Sequence, residues 1–153
     1  MRIDSVKDAE FVVELLRYGL LPIFNENNEI VFWDDYFTYI IPVTEDNTWY
    51  GECEKQRVTI TYNWAFDFFD VFEECTDKEK EFVATNWGPR YIAEFLYEDR
   101  DYINPVIEKW DRQYLKNKLK VIKRMRRTYE RKWTAEKIKK KEKERKKRTS
   151  TAG

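Results

Sequence analysis

Residues 104–133 read NPVIEKWDRQYLKNKLKVIKRMRRTYERKW, with no internal glycine and no proline after the second position. Asn104 offers a side-chain cap for free backbone N–H groups, and Pro105 at the first helical position gives up no hydrogen bond. Wound at about 100° per residue, Ile107, Trp110, Tyr114, Val121, Ile122, Met125 and Tyr129 share one apolar sector, with Leu115 and Trp133 at its edges. Asp111, Lys118 and Lys132 intrude, but a lysine stem lies along apolar surface while its ammonium stays in water. The spacing therefore predicts an amphipathic docking helix over 105–133.

Past Trp133 the apolar face stops. Residues 136–148 (EKIKKKEKERKKR) carry nine Lys or Arg, three Glu and one apolar residue, Ile138. Glu136, Glu142 and Glu144 each precede a cation by four positions, an order that supports a solvated helix by about 0.2–0.5 kcal/mol per pair. Residues 134–153 thus read as a Lys-rich tail, a solvated helix fraying to disorder at its end.

Upstream, residues 1–104 read as an acidic α+β body. Ser5 and Asp8 resemble a capping box, and Val6, Ala9, Val13 and Leu16, followed by Gly19, predict a helix over 6–18. The period then changes. Residues 20–24, 30–33, 36–43, 48–53 and 57–63 are short β-branched and aromatic runs separated by turn formers. Short connections pair neighbours antiparallel. Helical spacing returns at Trp64, where Ala65, Phe68, Phe69 and Phe72 form an apolar face. Thr76 and Glu79 suggest a capped helix ending near Asn86, and residues 91–97 another short one. The expected fold is α+β: an antiparallel β-meander of four to five strands with short flanking helices, followed by one long basic C-terminal α-helix.

Lys+Arg and Asp+Glu are equal at 29 each, and that balance hides a division. Residues 1–105 hold 9 basic and 23 acidic side chains, net −14, and residues 106–153 hold 20 and 6, net +14. Such asymmetry points to an electrostatic partner, with self-association at low salt when none is present. The 17% aromatic content supplies a core. No run reaches the length of a membrane span and residues 1–10 lack a signal pattern, so a cytoplasmic protein is expected. Cys53 and Cys75 read as two reduced thiols.

Catalytic chemistry finds little material. With no histidine, only Ser5 and Ser150 as serines, and four glycines, the chain lacks His-dependent triads, His-based zinc sites and phosphate-cradling loops. No catalytic residue, metal site or cofactor is assigned, and a non-enzyme is expected. Asp67, Asp70 and Glu74 share one helix face at i, i+3 and i+7, a set that reads first as a solvated acidic face.

Two binding functions remain. The first is association with nucleic acid, RNA or DNA, through the basic helix. Lys116, Lys120, Lys123, Arg124, Arg126, Arg127, Arg131 and Lys132 would contact phosphates and Trp133 would stack on a base. The second is inhibition of a nucleic-acid-handling or host-defence enzyme, with Asp67, Asp70, Glu73 and Glu74 imitating the phosphate track of DNA. Small size and an aromatic acidic body suit a phage-like accessory protein. A partner's groove or an anionic membrane surface are further uses for such a helix.

Overall fold

The computed structural model describes residues 1–42, 55–75 and 81–151, with the side chains of 81–83, 85 and 146–151 outside that description. The chain forms two compact units, Met1–Leu115 and Lys116–Gly153.

Helix α1 (Val6–Arg17) starts as its capping signal predicts: the Asp8 N–H donates to Ser5 Oγ (3.3 Å), and the Asp4 N–H donates to Asp8 Oδ2 (3.0 Å). Gly19 closes it at φ +66°, the left-handed geometry that favours glycine. Strands β1 (Leu21–Phe24) and β2 (Ile30–Asp34) form an antiparallel hairpin. Asp34 Oδ1 then accepts the Asp35 and Tyr36 N–H groups at 2.7 and 3.2 Å and turns the chain into β3 (Tyr36–Pro42). Strands β3, β4 (Lys55–Asn63), β5 (Phe68–Cys75) and β6 (Glu81–Trp87) make a four-stranded antiparallel meander in chain order. Helices α2 (Pro89–Glu98), α3 (Arg100–Ile107) and α4 (Arg112–Thr151) follow. The fold is α+β.

Alternation places Phe37, Tyr39, Ile41, Val58, Ile60, Phe69 and Val71 on one buried sheet face. That face receives the helices: α1 packs on β4, α2 on β5 and α3 on β3.

Four expectations change. Residues 64–74 are not helical: Trp64–Asp67 form a turn and β5 begins at Phe68. Phe68, Phe69 and Phe72 fit a helical period, yet a short apolar run of this length also suits a strand, and periodicity alone does not distinguish the two. Register fixed by β4 decides the matter, pairing Thr61 with Asp70 and Thr59 with Phe72. Likewise residues 81–87 form a strand, not a helix; the Thr76 and Glu79 capping signal and the expected strand at 48–53 lie outside the described residues. Third, Cys75 is buried and disulfide-bonded rather than a reduced thiol, so cysteine usage no longer argues for a reducing compartment. Cys53 lies outside the described residues.

The long helix begins at Arg112, not at Pro105. Asn104 is buried inside α3, where Oδ1 accepts the Ile3 N–H at 2.7 Å and Nδ2 donates to the Ile3 carbonyl at 3.3 Å. The N-terminal ammonium donates to the Glu108 and Trp110 carbonyls (3.2 and 3.0 Å), just past the end of α3. The chain's first residues thus occupy backbone groups at the interruption between α3 and α4.

A polar cluster ties the α2–α3 junction to the sheet. Tyr39 Oη donates to Asp99 Oδ2 at 2.6 Å. Burial raises the Asp99 carboxyl above its ordinary value, the Tyr39 hydrogen bond offsets part of that, and Glu98 adds to it. Glu73 is raised too, by burial first and then by Asp99, with a Gln56 hydrogen bond opposing.

Two outcomes follow from these contacts. Asn104→Ala leaves the Ile3 N–H and C=O without their side-chain partner and should cost at least about 2 kcal/mol in urea unfolding, since each such buried group costs roughly 1–3. A loss below about 0.5 kcal/mol would show that water replaces the side chain. For the carboxyls, the folded chain binds more protons than the unfolded one, so stability falls as pH rises from the ordinary carboxylate range through the raised values. Asp99→Asn keeps an oxygen for Tyr39 and removes one such loss. Its stability advantage over wild type should therefore widen between about pH 4 and about pH 7; parallel profiles would contradict the assignment.

Candidate nucleic-acid interface

Asp111 caps α4: its Oδ1 accepts the Tyr114 N–H at 3.1 Å and its carbonyl the Leu115 N–H at 3.0 Å. Arg112 anchors the first turn through a 2.6 Å ion pair to Asp8 Oδ1 and lies over the Phe11 ring at 5.5 Å. Burial opposes ionisation of Asp8, but hydrogen bonds from the Asp4 N–H and Arg112, with the Arg112 charge, hold its pKa below the ordinary carboxylate value. Leu115 is buried.

From Lys116 onward the helix separates its side chains by face. Lys116, Lys120, Arg124, Arg127 and Arg131 recur every three or four residues, so a regular helix puts them in one sector of roughly 80°. All five are exposed, and they span about 22 Å of helix at about 1.5 Å per residue. Lys123 stands beside them, half-buried. On the opposite side run Val121 (54% exposed), Met125 (66%), Tyr129 (71%) and Trp133 (50%), with Ile122 half-buried among them.

The nine residues read from the sequence as a nucleic-acid site thus divide. Five form the stripe and Lys123 borders it, whereas Arg126 borders the apolar row, Lys132 falls within that row's sector and Trp133 belongs to the row. Trp133 is also engaged within its own helix, with Lys137 Nζ 3.7 Å above the ring centre. A base stacking on that face must displace Lys137, and the other ring face is the simpler platform. Lys137 was not singled out from the sequence, although its i,i+4 spacing from Trp133 was the available signal.

Asp67, Asp70, Glu73 and Glu74 do not gather on one surface. Asp67 sits in the β4–β5 turn at φ +56°, where its Oδ1 accepts from Arg17 Nη2 (2.9 Å) and Tyr62 Oη (2.5 Å). The Tyr62 hydrogen bond is the main cause of its lowered pKa; burial opposes it and Arg17 adds to it. Glu74 pairs with Arg57 at 2.6 Å on the outer sheet face, which Asp70 shares, while Glu73 lies on the inner face near Gln56 and Asp99. The same turn presents Trp64 and Phe66 to solvent, with the Phe66 N–H held by the Asn63 carbonyl and the Ala65 N–H by Asn63 Oδ1. Nothing in the helical reading of that stretch could have found them.

Among the described residues no three His, Cys, Asp or Glu side chains are arranged to hold a metal ion. Also among them, no helix is long and apolar enough to cross a membrane. A groove of about 380 Å³ lies between β1, the start of β3 and α3, and its only charged lining residues are Asp34 and Lys109. The chain matches no protein-family model, no curated protein and no solved structure.

Every buried side chain among the described residues lies at or before Leu119. Deleting residues 134–153 should therefore leave the melting temperature within about 2 °C, a shift smaller than about 0.5 kcal/mol would produce in a domain of this size. A larger drop would assign the tail to the core.

Proposed function

We propose that the protein is a non-enzymatic binder of nucleic acid that holds the phosphate backbone along α4. The observation that carries this reading is the exposed stripe Lys116, Lys120, Arg124, Arg127 and Arg131 on one side of one helix. Three of its members are arginines, whose planar guanidinium matches phosphate oxygens in a bidentate way. Each successive cation advances about 4.5–6 Å along the axis, so the stripe follows one backbone track rather than reading base edges. Binding of this kind is salt-dependent and indifferent to sequence.

Fluorescence anisotropy with labelled duplex DNA, single-stranded DNA and RNA across a salt series tests the reading. Replacing Lys120, Arg124, Arg127 and Arg131 together by Gln removes four contacts. The slope of log K against log salt should then flatten by about 3, at roughly 0.7 per lost contact for single strands and 0.9 for duplex. These side chains are exposed, so the melting temperature should not change. A wild-type chain that binds none of the three at low salt, or a variant with an unaltered slope, would remove this function.

A further inference from the structure

The apolar row on α4 lies on the side of the helix away from the basic stripe, and the proposed function leaves it unused. We propose that this row is the seam of an antiparallel homodimer, in which α4 of one chain pairs with α4 of a second copy in a register centred on Arg127.

Charge selects both the orientation and the register. In the register centred on Arg127, Met125 meets the partner's Tyr129, Val121 meets the partner's Trp133, and Lys118 meets the partner's Glu136. The first pair sets a thioether against an aromatic ring, a favourable contact. The third matches the only acidic residue on the seam side between positions 116 and 140 to a lysine. A parallel pair would instead place Lys118 on Lys118 and Lys132 on Lys132 and bring both Lys-rich tails together. An antiparallel register centred one half-turn earlier, on Met125, sets Lys118 against Lys132. Both alternatives stack like charges, which disfavours them.

The antiparallel arrangement also disperses the net +14 of residues 106–153. The two Lys-rich tails then leave the pair at opposite ends instead of lying side by side. The seam is short, about 18 Å from Val121 to Trp133 at about 1.5 Å per residue, so the dimer is concentration-dependent. It does not rest on nucleic-acid binding, because Lys116, Lys120, Arg124, Arg127 and Arg131 remain outside the seam.

The test uses the full chain, free of nucleic acid, in sedimentation equilibrium at about 100 µM and about 0.15 M salt. The expected mass is twice the 18.9 kDa of one chain. Met125→Asp should return it to one chain with unchanged helix content, since Met125 is exposed. Lys118→Glu or Glu136→Lys alone should weaken the dimer at least about tenfold by setting like charges together, and the two combined should restore it. Within one helix these positions stand about 27 Å apart, so only contact between copies in this register explains restoration. A wild-type mass of one chain, or a double variant no tighter than the single ones, would overturn the proposal.

Discussion

The hydrogen bonds between Asn104 and the backbone of Ile3 fix where the long helix begins. A buried amide that satisfies both an N–H and a C=O across 101 positions of chain leaves α3 little freedom to slide. The N-terminal ammonium takes the carbonyls of Glu108 and Trp110, and Asp8 holds Arg112. Between them these contacts bracket the interruption from both sides. Helix α4 therefore restarts from a defined position, and the phase of its faces is set by Asp111 as cap. Had the helix run unbroken from Pro105, the apolar sector would have continued that of Ile107 and Trp110, both of which are buried.

Desolvation explains why burial among the described residues ends at Leu119. Lysine and arginine are almost never fully buried without a partner, because removing the charge from water costs several kcal/mol. Of the seventeen residues from Lys116 to Lys132, five are Val, Ile, Leu, Met or Tyr and nine are Lys or Arg. Its apolar row is narrow enough to be covered by one further helix and too narrow for a domain core. The β-sheet body solves the opposite problem. Two of its turn and strand carboxylates are paired with arginines, Asp67 with Arg17 and Glu74 with Arg57.

Much of this was legible in the sequence and some was not, for physical reasons. Capping chemistry is local, so Ser5, Asp8 and Gly19 fixed α1 to within a residue. Clean alternation in residues 57–63 identified the strand that lies inside the sheet. Residues 64–75 failed because Phe68, Phe69, Val71 and Phe72 are all apolar; a strand covered partly on both faces loses the alternation that distinguishes it from a helix. Asn104-Pro105 failed because capping and burial use the same amide, and only the partner, Ile3, shows which is in force. In α4 the composition already showed a basic helix. The division of nine chosen residues into a stripe of five, a border and an opposite row needed a helix phase counted from Arg112.

That division has a geometric consequence for polyanion binding. Two antiparallel helices joined by their apolar rows stand about 8–10 Å apart, and each stripe faces away from the seam. One backbone track then reaches the stripe of one copy but not that of the other, because a helix about 10–12 Å across lies between them. Pairing would not widen a single binding site. It would instead place two tracks back to back, and a dimer of this kind would join two strands or two segments of one strand. The affinity of each stripe would remain that of five cations, while attachment at the second would become an intramolecular step governed by the distance between the segments.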